Sequence, residues 1–187
     1  YEWIVDGTPT DCVIFALNHI MNSGKPDLIL SGINAGSNIG DEVSYSGTVA
    51  AAMEGALRGI NSIALSQLGG DHKSNSYLCS KNYSVEIIKN LLKLKIKSPL
   101  YFNINFPLNI SESDNTNFLY TKLASQKKSD EIFVHNSESS YKIGRMLNSY
   151  QITQETDMDA LSKNKISLTP LTLDLTNISL FNQLNKR

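Results

Sequence analysis

Cysteine is scarce in this chain, and the absences around it narrow the field first. Cys12 and Cys79 are the two cysteines in 187 residues. They are too few for a disulfide framework and lack the paired Cys/His spacing of a zinc site. Charge of one sign is missing too: 17 basic side chains face 18 acidic ones, for a formal net charge of -1. That balance leaves no electrostatic footprint for a nucleic-acid duplex or an anionic membrane. No apolar run is long enough to span a bilayer, and no basic stretch followed by an apolar one opens the chain, so the expected location is the cytoplasm. An initiator methionine is also absent. Tyr1-Glu2-Trp3-Ile4-Val5-Asp6 starts in mid-pattern and reads as the end of a strand in a trimmed chain. Familiar nucleotide fingerprints are missing as well: there is no Gly-Lys-Ser/Thr of a P-loop, no dinucleotide glycine pattern and no serine in a nucleophile elbow.

What is present is an ordinary globular composition, 41% hydrophobic and 19% charged, enough for a real core. Gly7-Thr8-Pro9-Thr10-Asp11 is a helix start, with Thr8 as cap, Pro9 at the first helical position and Asp11 three residues after the cap. Val13, Ala16, Leu17, Ile20 and Met21 recur at helical spacing until Gly24. Leu28-Ile29-Leu30-Ser31 reads as a buried parallel strand, followed by a glycine-rich loop to Gly40 and a second helix from Val49 to about Leu57. Ile63-Ala64-Leu65-Ser66 is a further strand, residues 84–97 a helix, and residues 100–106 another strand. That rhythm predicts a parallel sheet covered on both faces. From about Ile110 polar clusters such as Ser111-Glu112-Ser113-Asp114-Asn115 separate short apolar runs. Ile132-Phe133-Val134 and Tyr141-Lys142-Ile143, with Asn136-Ser137-Glu138-Ser139-Ser140 between them, suggest a long β-hairpin. A closing strand is expected at Ile166-Ser167-Leu168-Thr169-Pro170-Leu171.

Ligands of a parallel α/β sheet bind where strands end and helices begin. Ser31-Gly32-Ile33-Asn34-Ala35-Gly36 follows a strand, and Asn34 offers a carbonyl oxygen of the kind hard cations accept. Ser46-Gly47-Thr48 precedes a helix, where free N–H groups, the helix dipole and two hydroxyls suit a phosphate. Each segment alone reads more often as an ordinary turn or cap. Asp41-Glu42 lies between the two segments and reads as a solvated loop pair; Asp157 and Asp159 read as surface charge, and Asp11 belongs to the helix start. His19 falls in the first helix, while His72 and His135 lie in polar contexts; no spacing pairs them as metal ligands.

Taken together, Gly7-Thr8-Pro9-Thr10-Asp11-Cys12-Val13, Lys25-Pro26-Asp27-Leu28-Ile29-Leu30-Ser31-Gly32-Ile33-Asn34-Ala35-Gly36 and Tyr45-Ser46-Gly47-Thr48-Val49-Ala50-Ala51-Ala52-Met53-Glu54-Gly55 resemble, in order and spacing, the SurE survival-protein family. Asn103-Ile104-Asn105-Phe106-Pro107, Thr156-Asp157 and Ser167-Leu168-Thr169-Pro170-Leu171 are similar to its later segments. The resemblance implies a Rossmann-like three-layer αβα sandwich with a C-terminal β-hairpin extension. It divides the chain into a phosphatase core over 1–109, an oligomerising extension over 110–154 and a closing strand with tail over 155–187. It also implies hydrolysis of nucleoside 5'-monophosphates, and in some members 3'-monophosphates, with one divalent ion, Mg²⁺ or Mn²⁺, in a homodimer or homotetramer. Asn34 maps onto a metal ligand, and Ser46, Gly47 and Thr48 map onto the phosphate loop. The family's Asp-Asp pair, after a first strand inside the sheet, and its metal-binding serine, in a later loop, match no residue here and are expected upstream of Tyr1; the catalytic residue is expected there too. Asn164 stands where the family tends to carry glycine, and asparagine tolerates the same left-handed backbone. The alternative reading is a non-catalytic relative that retains the anion-binding loop.

Overall fold

The computed structural model describes residues 1–21, 24–70, 77–110, 117–125, 127–134, 140–148 and 152–185. His72, His135 and most of the polar clusters at 111–115 and 136–140 lie outside the described residues. The capping signal near the start produces helix α1 (Pro9–Phe15). Thr8 Oγ1 accepts from the Asp11 amide at 3.3 Å, and Asp11 Oδ2 accepts from the Thr8 amide at 2.7 Å. Beyond Phe15 the helix widens into one π-helical turn, Ala16–Ile20, and stops at Met21. Tyr1 to Val5 form no strand, contrary to expectation; Trp3 instead meets Phe15 edge-on at 6.4 Å between centroids.

Five strands form the main sheet in the order β1 (Leu28–Ala35), β2 (Asn61–Gln67), β3 (Tyr101–Phe106), β7 (Ile166–Pro170) and β4 (Phe118–Tyr120). The first three are mutually parallel, whereas β7 runs antiparallel to β3 and parallel to β4. The sheet is therefore mixed rather than wholly parallel. Helix α4 (Asp157–Ser162) is followed by a tight turn through Asn164 at φ 53°. Strand β7 enters beside the C-terminal end of β3, with Ser167 opposite Asn105. The left-handed backbone expected at Asn164 is there.

Alternation along the inner strands sends side chains to two cores. Ile63 and Leu65 of β2, with Phe102, Ile104 and Phe106 of β3, pack against α3 (Leu78–Leu92) through Ile87, Ile88 and Leu91. Burying each such side chain is worth about 1.5–3 kcal/mol. On the opposite face Ala64 and Tyr101 meet α2 (Gly47–Leu57), whose Ala52 and Ala56 allow close approach. Helix α3 starts and ends earlier than residues 84–97. Its start is held from a distance, because Gln67 Oε1 at the end of β2 accepts from the Ser80 amide at 3.0 Å. Strand β1 is not the buried strand its apolar run suggests. It has one partner, β2, in the described sheet, and Leu30 is 50% exposed. The expected hairpin is present as a separate two-stranded sheet, β5 (Lys127–Val134) with β6 (Tyr141–Asn148). Helix α5 (Ile178–Leu184) closes the described chain.

Candidate functional site

The connection from β1 to α2 is built to bring both of its ends to one place. At its start Gly32 has φ +134°, and a Cβ there would strike the Leu65 carbonyl, so the strand hugs β2 where only glycine fits. Gly36 donates to the Gln67 carbonyl at 3.0 Å and keeps the chain on β2 after the strand ends. A 3₁₀ helix, Gly40–Tyr45, then delivers the chain to Ser46, the N-cap of α2.

Asn34 and Thr48 meet across this connection, Thr48 Oγ1 donating to Asn34 Oδ1 at 3.4 Å. Asn34 Nδ2 donates to the Gly36 carbonyl at 3.0 Å, which turns the amide oxygen toward Thr48. Ser46 Oγ accepts from the Val49 amide at 3.1 Å, and the Ser46 carbonyl accepts from Ala50 at 2.9 Å. The next amides back, those of Gly47 and Thr48, belong to the first turn, where a helix supplies no acceptor of its own. Asn34 and Thr48 line an open cavity of about 640 Å³, together with Gly32, Leu30 and, from α1, Pro9 and Cys12. The amide oxygen of Asn34 and the hydroxyl of Thr48 thus border a space large enough for a small anion and a cation, whereas Ser46 and Gly47, next to Thr48 in the chain, are not among its lining residues.

Under the same connection lies a layer of buried polar side chains that the residue pattern did not single out. Asn105 Oδ1 accepts from the Asn38 amide at 2.8 Å, and Asn105 Nδ2 donates to the Asn38 carbonyl at 3.0 Å. Asn103 Nδ2 donates to that carbonyl at 2.8 Å, and Asn38 Nδ2 donates to Ser66 Oγ at 2.7 Å. A signal was available: Asn103 and Asn105 flank Ile104 on a strand predicted to be buried, where apolar residues belong. Asp157 is the second surprise. Expected as surface charge, it is fully buried at the start of α4. Its carboxylate accepts from the amides of Gly40 at 2.7 Å, Ala124 at 2.9 Å and Met158 at 2.9 Å. Burial pushes its pKa up, and these amide bonds offset that only in part. Asp159 is buried too, where Lys163 Nζ donates to it at 2.8 Å.

Asp41 and Glu42 are not a free solvated pair. Asp41 Oδ2 accepts from the Lys127 amide at the base of the hairpin at 2.8 Å, and Glu42 Oε2 accepts from the Ile39 amide at 3.2 Å. Lys127 Nζ also lies 4.6 Å from the centre of the Tyr45 ring. His19 is exposed and packs on Phe15, with ring centroids 5.0 Å apart. Among the described residues, no group of three or more His, Cys, Asp or Glu side chains is arranged to hold a metal. No described helix is long and apolar enough to cross a membrane.

Comparison with known proteins bears on the same segments. The family model described as "Survival protein SurE" matches residues 1–130. A 5'-nucleotidase SurE of Paramagnetospirillum magneticum is 38% identical over 178 residues, covering 94% of this chain and 68% of that protein. A 5'-nucleotidase SurE of Erythrobacter litoralis is 35% identical over 190 residues, covering 100% of this chain and 75% of that protein. Among solved structures, the SurE protein from Aquifex aeolicus superposes with a TM-score of 0.78 at 34% identity, covering 96% of this chain and 72% of that one.

Proposed function

The chain belongs to the SurE family, and on that footing we propose that it hydrolyses nucleoside 5'-monophosphates to nucleoside and phosphate with the help of one divalent ion, Mg²⁺ or Mn²⁺. The observation that carries this reading is the 3.4 Å approach of Thr48 Oγ1 to Asn34 Oδ1 beside the N-terminus of α2. The donor chemistry fits a hard cation: Asn34 presents a neutral carbonyl oxygen with a second lone pair to spare, of the type Mg²⁺ and Mn²⁺ accept. Such an ion supplies charge neutralisation on the phosphoryl group and an activated water. Thr48 Oγ1 and the amides of Gly47 and Thr48 hold phosphoryl oxygens, and the dipole of α2 favours their negative charge. Ser46 stops the helix from fraying at that end by capping Val49. The remaining anionic ligands we assign, from the family resemblance, to an acid pair on a further strand along the open edge of β1. Contact with a second copy we place at the β5–β6 hairpin, where Ile132, Val134, Tyr141 and Ile143 are 62–73% exposed.

The test is phosphate release from AMP and GMP by the full-length protein with Mg²⁺ or Mn²⁺. Asn34→Ala should lower kcat/KM by no less than the about 10–100-fold that loss of a partner behind a metal ligand costs. Unchanged turnover in that variant refutes the role of Asn34. Tight nucleotide binding without phosphate release points instead to a non-catalytic binding protein.

A further inference from the structure

We propose that Asn105, a residue of the central strand outside the cavity, is a positioning residue that sets the distance between Asn34 and the N-terminus of α2. The inference rests on the function proposed above for those two ends. Its basis is a grip on the main chain of Asn38: one side-chain amide accepts that residue's N–H at 2.8 Å and donates to its C=O at 3.0 Å. A side-chain amide can make both bonds at once, as a neighbouring strand would. Asn38 lies between Asn34 and Thr48 in the chain, so its position constrains both. Strand β3, which carries Asn105, is flanked by β2 and β7 and buried along its whole length, making it the stiffest available reference.

The sheet gives up stability for this arrangement. Asn103 adds a bond to the same Asn38 carbonyl at 2.8 Å, yet its own Oδ1 is buried with no hydrogen-bond partner among the described residues. An unpaired buried acceptor is unfavourable where an aliphatic side chain would pack without penalty. Asn103 and Asn105 therefore serve the loop above them rather than the strand that carries them.

A control lies at the opposite end of the sheet. Asn61 grips two main-chain groups in the same way, accepting from the Leu100 amide at 2.9 Å and donating to the Asp27 carbonyl at 3.1 Å, far along the sheet from the cavity. The experiment compares Asn105→Ala with Asn61→Ala in the full-length protein. It reads kcat and KM for AMP, thermal midpoint, and amide hydrogen exchange across residues 36–48. Asn105→Ala should speed exchange in that segment and lower kcat about 100-fold, the cost of about 1 Å of misplacement, with KM within about threefold. Asn61→Ala should lower the thermal midpoint while leaving kcat and the exchange of residues 36–48 as in wild type. If Asn105→Ala keeps kcat within about threefold of wild type, its role is structural and the proposal is overturned. If wild type releases no phosphate, the proposed function fails, and the exchange measurement alone then decides the grip: unchanged exchange overturns it. Should Asn105→Ala not fold, Asn105→Asp, which keeps the acceptor and loses the donor, makes the same comparison.

Discussion

Replacing Asp157 with alanine offers the sharpest quantitative check on how the β1–α2 connection is held. The carboxylate is fully buried and accepts from Gly40, Ala124 and Met158. Gly40 and Ala124 are themselves buried, whereas Met158 is half-buried. Leaving two buried donors without acceptors costs about 2–6 kcal/mol in total, at about 1–3 kcal/mol each. Removing the carboxylate also relieves its own desolvation, which pulls the sum toward the low end, about 3 kcal/mol. The expected fall in thermal midpoint is about 6–12 °C for a chain of this size. Urea unfolding should show a lower midpoint with an unchanged slope. A loss below about 1 kcal/mol would refute the clamp. The pH dependence has a definite sign. Burial, only partly offset by the amides, raises this carboxyl above its ordinary 3.8. The native state therefore holds the proton more tightly than the unfolded chain. The stability linked to this titration is fully present below 3.8 and is lost as pH rises through the native value. Asp157→Asn cannot titrate, so its deficit relative to wild type should be largest at about pH 4 and shrink toward neutrality. A deficit that grows with pH contradicts the reasoning.

Two further outcomes follow from neighbouring geometry. Gly40 has φ +53°, and a Cβ there would fall 2.5 Å from the Ala124 carbonyl oxygen, whereas Gly59 at φ +77° faces open space. Both Gly→Ala changes bear the left-handed penalty of about 1–2 kcal/mol, so Gly40→Ala should destabilise clearly more than Gly59→Ala in urea titrations, and equal losses would contradict the close contact. Asp159 is held below its ordinary pKa, first by the Lys163 ammonium and further by the Glu155 amide. Its contribution is present above the ordinary carboxyl value and is lost as pH falls through the depressed native value. Lys163 is half-exposed, so water screens the pair. Lys163→Met should cost about 0.5 kcal/mol at neutral pH and nothing measurable once the carboxyl is protonated, as read by stability curves at the two pH values.

Local chemistry is legible in the chain itself. The Thr8–Asp11 box, the helix after Ser46 and the left-handed turn at Asn164 each depend on a few adjacent residues, and each stands where those residues place it. The family is legible too, because long strings at fixed spacing carry it. The direction of β7, the early start of α3 and the burial of Asp157 are not legible. Each is decided by a partner remote in sequence: the β3 edge for β7, Gln67 for the Ser80 amide, and Gly40 for the Asp157 carboxylate. A carboxylate or amide looks alike in sequence whether solvated or buried, since only the arrival of a distant donor makes burial tolerable. For the same reason Asn34 and Thr48 are separate candidates as sequence. Tertiary structure makes them neighbours, through a connection seated on Asn105 and Asp157 that no local pattern encodes.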